Sequence, residues 1–311
     1  MGRASGPNQD QSRRERIAAQ RAAAQHAQLQ RRLLIAGGAI VVVVIIVVAF
    51  VLASGHSSSG GSGGSGGSGA TGTVPTGSAL EQVVTTTSTV PSATLDTVGS
   101  GTVSARPTSI SGAPLTSGGK PEMLYMGAEY CPYCAAERWA MVVALSRFGT
   151  FSGLAATHSA ATDGAGKAEP YPDTATWTFA NATFTSKYLT FTPVELYTNI
   201  PDASSGGYTT LQAPTAQQQA LIGKYDAAYS GAIPFIDFGN KYLIVGASYD
   251  PGVLKGLTWS QIADDLHNPA SPVAKAVLGT ANYITAAICG LTGNQPAAAC
   301  TPAVKALQSQ L

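Results

Sequence analysis

An α/β fold is what this sequence predicts, with strand-like and helix-like patterns interleaved around a sheet. Three observations carry that expectation. An apolar run, Met123 to Met126, within a strand expected over Glu122 to Met126, ends at Gly127, is followed by Cys131-Pro132-Tyr133-Cys134, and passes at once into helical apolar spacing, so it reads as strand, Cys-x-x-Cys, helix. Ala232 to Gly246 reads as two short strands joined by a Gly239-Asn240 hairpin turn. Thr258, Ser271-Pro272 and Thr301-Pro302 each supply the capping chemistry of a further helix.

The N-terminal quarter stands apart from this pattern. The 311 residues carry a net charge of +1, yet residues 1–32 hold seven arginines against Asp10 and Glu15. A basic tail can serve nucleic acid, but the next segment explains it better. Leu33 to Ala53 is an uncharged run rich in Val and Ile, long enough to cross a bilayer as a helix. Arg31 and Arg32 flank its N-terminal edge and no Lys or Arg follows until Arg106, so the positive-inside rule puts the N-terminus in the cytoplasm and the remainder outside. A cleaved signal peptide is the rival reading; against it, the run exceeds a typical signal h-region and a long tail precedes it. The chain therefore reads as a single-pass cell-membrane protein. It comprises a cytoplasmic basic tail (1–32), one transmembrane helix (33–53), a flexible Gly/Ser-rich linker (54–79) and an extracytoplasmic domain (80–311), with no nucleic-acid partner.

Within the domain, a short helix is expected around Leu80 to Val84, and Pro107 to Gly119, punctuated by Gly, Ser and Pro, reads as loop. The helix after the cysteines runs to about Phe148, with Trp139, Val142, Val143 and Leu145 on a buried face and Gly149 as its stop. Leu154 to His158 reads as a strand, Asp163 to Gly166 as a turn, and Trp177 to Leu196 as further strands. Pro214-Thr215 opens a helix with Leu221, Ile222 and Tyr225 inward and Gly231 as its stop. The final helices are expected over 259–267, from Pro272 to about Cys289, and after Thr301-Pro302.

The spacing of Cys131 and Cys134 has a chemical reason. Two intervening residues at a helix start bring both sulfurs within reach of a disulfide while exposing only the first. Pro132 suits the first helical position, and a cysteine at the N-terminal end meets unpaired N–H groups that favour its thiolate. Cys131 is thus the candidate nucleophile and Cys134 the shielded resolving thiol. Glu129 and Arg138, close by, read as solvated charges on an exposed helix face. Cys289 and Cys300 form a second pair, expected as a structural disulfide outside the membrane, with a free electron-relaying pair as the alternative. Zinc is disfavoured, since the second cysteine spacing is wrong for a four-thiolate site, and His26, His56, His158 and His267 are scattered without a ligand pattern. No metal and no cofactor are expected.

Strand, Cys-Pro-Tyr-Cys, helix, and later Ile233-Pro234 before a hairpin and a terminal helix, together resemble the thioredoxin fold. The resemblance implies a cis peptide bond at Pro234 and a loop, Ile233-Pro234, that receives an extended substrate together with Pro132 and Tyr133. Pro234 follows Cys131 by 103 positions, so a large insertion separates the Cys-x-x-Cys helix from the cis-Pro strand, as in DsbA-type exported oxidases. The tetrapeptide equals that of glutaredoxins, which are small and cytosolic. Gly127 to Trp139, with the anchor in front and Ile-Pro-Phe behind, resembles the uncharacterised actinobacterial and archaeal domain-of-unknown-function family 929.

Two functions follow as expectations. The first is a membrane-anchored thiol–disulfide oxidoreductase, of oxidase or isomerase type, exchanging disulfides with exported proteins and re-poised by a membrane electron-transfer partner. The second is a non-catalytic binding or scaffold module whose Cys131–Cys134 disulfide is structural.

Overall fold

A computed structural model describes residues 72–226 and 231–311. The basic tail, the apolar run 33–53 and most of the linker lie outside the described residues. Helices α1 (Gly77–Ser88) and α2 (Ser92–Val98) come first, then strands β1 (Thr108–Ser109), β2 (Thr116–Ser117) and β3 (Lys120–Gly127), and helix α3 (Pro132–Ser146). Strands β4 (Thr150–Ser152), β5 (Ala155–His158), β6 (Ala175–Thr178), β7 (Thr183–Thr185), β8 (Thr190–Glu195), β9 (Tyr197–Asp202) and β10 (Gly207–Thr210) follow. Helix α4 (Ala216–Tyr225) precedes the hairpin of β11 (Phe235–Phe238) and β12 (Tyr242–Val245). A 3-10 turn (Pro251–Leu254) and helices α5 (Trp259–Asp265), α6 (Pro272–Leu291) and α7 (Pro302–Gln308) complete the chain.

The main sheet is mixed. β3 pairs in parallel with β8, from Glu122 opposite Thr190 to Gly127 opposite Glu195, and antiparallel with β11 on its other side. β12 lies outside β11 and β1 outside β12, both antiparallel. A parallel neighbour requires a crossover, which α3 and the small strands β4 to β7 provide. The pleat sends alternate residues to opposite faces. Met123, Tyr125, Ile236 and Phe238 enter the larger core, which also takes in α3 and α6. Leu124, Met126, Phe235 and Leu243 enter a smaller one, closed by Leu221 and Ile222 of α4. Both faces of the sheet are therefore covered. Gly239 and Asn240 both have positive φ, which is what the two-residue turn between β11 and β12 demands.

α3 departs from expectation in being buried almost all round, from Cys134 to Leu145, with Glu137 and Arg138 included. The reading of Arg138 as a solvated charge is thereby corrected: α3 has no solvent face over this span, because it packs on α6, α1 and β6. α6 is itself enclosed. It is the only helix among the described residues with the length and composition to cross a membrane, and it serves as a core helix. The disulfide Cys289–Cys300 ties the end of α6 to the start of α7, as expected for this pair. α4 ends at Tyr225 with Asp226 at its C-cap, short of the expected Gly231. The stretch read as loop holds β1 and β2, and the segment between α3 and β11 carries a hairpin, β9–β10, that the sequence did not announce.

Candidate active site

Cys131 is the N-cap of α3, and its sulfur accepts a hydrogen bond from the Cys134 N–H at 3.3 Å. Pro132 occupies the next position, where no N–H is required. The Cys131 thiol points at the carbonyl oxygen of Ile233, 3.9 Å away, and the Ile233–Pro234 peptide bond is cis, as the resemblance implies. Cys131 keeps 4% of its surface and Cys134 none, so even the first thiol is reached only along the groove described below. Neither is disulfide-bonded. Burial pushes the Cys131 thiol up, but hydrogen bonds from Cys134 and the positive charge of Arg138 outweigh it, and the net shift is downward. Burial drives Cys134 the other way, well above the ordinary thiol value, reinforced by its hydrogen bond to Cys131 and the adjacent charge. The two sulfurs are thus separated in acidity by their positions on one helix turn.

Behind Cys134 lies a buried polar cluster assembled from three elements. Arg138, one turn further along α3, forms a two-pronged ion pair with Glu195 at the end of β8, at 2.9 and 2.6 Å. The same guanidinium donates to the Ala128 carbonyl, 2.7 Å, and so fixes the loop leading to Cys131. Its remaining nitrogen, Nη1, has no partner among the described residues, and neither has the fully buried hydroxyl of Tyr125, over whose ring the guanidinium sits at 5.8 Å. Gly127 is required here: a Cβ would collide with the Tyr125 hydroxyl and come within 3.1 Å of the Cys134 sulfur.

A second buried acid, Glu137, has no ion-pair partner among the described residues. Its carboxylate accepts from the N–H and the hydroxyl of Ser248, each at 2.9 Å, and burial lifts its pKa to about 7 despite those hydrogen bonds. Ser248 belongs to the segment after β12 whose neighbours Gly246, Ala247, Tyr249 and Asp250 line the groove.

That groove, about 710 Å³, opens beside Cys131. Pro132, Tyr133 and Ile233, three of the expected substrate-binding residues, line it; Pro234 is buried and does not. Tyr133, 40% exposed, meets Tyr171 edge to face at 6.0 Å. Tyr130 stacks on Tyr208 of β10 with ring centroids 4.0 Å apart. The Tyr208 hydroxyl in turn donates to Glu169 at 2.5 Å. The segment between α3 and β11 therefore contributes Glu169 and Tyr171 to the lining of the groove.

The structure brings Cys131, Cys134, Pro132, Tyr133 and Ile233 together and keeps Cys289 and Cys300 apart from them, in their own bridge. Sequence reasoning missed Tyr125, Glu137, Glu195 and the tyrosine wall. One signal was available: Glu137 and Arg138 are two charges inside an otherwise apolar helical stretch. Among the described residues no group of His, Cys, Asp or Glu is arranged to hold a metal ion.

Neither a curated protein nor a solved structure matches this chain. One family profile does, over residues 106–290, which is more than half of the chain and takes in both cysteines of the motif and Pro234. By that match the chain belongs to the family described as domain of unknown function (DUF929).

Proposed function

We propose that this chain is a membrane-anchored, extracytoplasmic thiol–disulfide oxidoreductase of thioredoxin-like fold that acts on exported proteins through Cys131 and Cys134. The observation that carries the reading is the site of Cys131: an N-cap thiol of depressed pKa at the floor of a groove, facing the Ile233 carbonyl, with a fully enclosed second thiol one turn behind it. The strand–helix order around it and the hairpin after Pro234 support the thioredoxin-like assignment.

In the oxidising direction a substrate thiolate attacks the Cys131 sulfur of a Cys131–Cys134 disulfide. The bond between substrate and Cys131 forms, the intramolecular bond breaks, and Cys134 departs as a thiolate that takes up a proton. A second substrate thiolate then attacks the substrate sulfur of the mixed disulfide, forming the substrate's disulfide and releasing Cys131 as a thiolate. Two electrons pass from substrate to the enzyme dithiol, and a membrane electron-transfer partner accepts them to restore the disulfide. A stabilised Cys131 thiolate is the better leaving group and favours the reduced enzyme, which makes the pair oxidising. Attack by the same thiolate on a wrong substrate disulfide gives isomerisation with no net electron transfer. No cofactor enters either route.

The test uses the full chain carrying Cys134→Ala, which cannot resolve a mixed disulfide, incubated with extracts of exported proteins. Reducible adducts through Cys131 are expected, and none with Cys131→Ser. If no adducts form, and Cys131→Ser loses no activity on a scrambled substrate, the cysteines are structural and the chain is a binding module.

A further inference from the structure

We infer that the groove beside Cys131 selects an extended polypeptide that carries a Lys or Arg side chain next to its cysteine. The inference rests on the thiol–disulfide exchange proposed above and adds the class of substrate.

The lining of the groove supplies the argument. Two carboxylates border it, Glu169 from the segment between α3 and β11 and Asp250 from the segment after β12, and no Lys, Arg or His stands among its lining residues. Glu169 is held by the Tyr208 hydroxyl at 2.5 Å. Asp250 is fixed as the cap of the 3-10 turn, accepting from the Gly252 N–H at 2.8 Å. The nearby cation, Arg138, is buried and neutralised by Glu195, so its charge is not presented to an occupant. The aromatic side chains of Tyr130, Tyr133 and Tyr171 line the same groove.

Negative charge and tyrosine faces in one groove are the surroundings a cationic side chain on an apolar stem fits. The head group meets carboxylate and ring electrons, and the stem lies along the rings. An acidic side chain in the same place would face two like charges, so the groove discriminates by repulsion as well as attraction. The cysteine of the segment must reach Cys131 at the groove floor, which sets the cation within a residue or two of it.

The experiment uses the full chain with Cys134→Ala and peptides of the form Gly-Xaa-Cys-Xaa-Gly, with Xaa as Arg, Ala or Glu, each as its mixed disulfide with thionitrobenzoate. Attack by the Cys131 thiolate on the peptide sulfur forms the Cys131–peptide disulfide and releases thionitrobenzoate, which is read by absorbance. Rates are divided by those of N-acetylcysteine with the same peptide. The Arg peptide is expected to outrun the Glu peptide by about tenfold at low ionic strength, with the ratio shrinking as salt rises through the range where the screening length falls below about 10 Å. Glu169→Gln with Asp250→Asn, which preserves the shape of both side chains, should bring the ratio close to one. Equal normalised rates, a preference for Glu, or a ratio untouched by salt overturns the inference and leaves disulfide exchange standing. Release from no peptide at all overturns both.

Discussion

Arg138 is held by Glu195 and the Ala128 carbonyl, at the one place where a fixed positive charge can act on both thiols of the motif. A buried pair of this kind is worth little as a pair, but breaking it strands a charge. Arg138→Met should therefore cost about 3–5 kcal/mol in urea unfolding, because Glu195 is left ionisable and enclosed. It should also raise the pH midpoint of Cys131 reactivity, since the guanidinium's attraction for the thiolate is gone. Adding Glu195→Gln, which keeps the acceptor for the Phe179 N–H, should recover part of the stability without restoring the midpoint. A midpoint that returns together with the stability would show that Arg138 acts on Cys131 only through packing. The two thiols and their order of exposure were legible in the sequence. Arg138's partner was not, because Glu195 lies on another element and a local pattern cannot say that a helix is enclosed on every side.

The elements around the cysteines divide into those with a periodic signature and those without. β3, α3, the β11–β12 hairpin and the three capped C-terminal helices each bury one face or more and were readable from apolar spacing and capping residues. The β9–β10 hairpin exposes Tyr197 and Ile200 and buries no face, so it left no alternation to read, although its Tyr208 holds Glu169 and stacks on Tyr130, both of which line the groove. Another part of the lining depends on α3, through Glu137 and Ser248. The folded pKa of Glu137, about 7, lies above its ordinary value of 4.5, so the folded state binds the extra proton. This stabilising effect is complete below the ordinary value and is lost as pH rises to and through about 7. Melting temperature should accordingly fall between pH 5 and pH 8, and Glu137→Gln should remove about 3 kcal/mol of that pH dependence. Asp237, lifted by burial to about 6, acts in the same direction and will leave a residual slope. An unchanged slope in Glu137→Gln would mean that the carboxylate is not the group being titrated.

At the scale of the molecule, the family match covers residues 106–290 and stops short of parts of the fold that pack against it. α1 lies on α5, α2 on α6, and the Asn282 side chain of α6 donates to the Leu95 and Gly99 carbonyls that end α2. α7, tied by Cys300 to Cys289, closes the other side of α6. The interleaving of strand and helix was visible in the sequence as an α/β order, whereas the packing of these flanking helices was not, since α1 is rich in threonine and α2 spans only seven residues. The chemistry proposed for this architecture turns on one thiol. The direct test is the rate of Cys131 alkylation by iodoacetamide as a function of pH, in the full chain reduced beforehand, with Cys134→Ala measured alongside to assign the signal. A single midpoint for Cys131 clearly below the free-thiol value of about 8.5 is expected; a midpoint at or above that value would show that the helix start and Arg138 do not stabilise its thiolate.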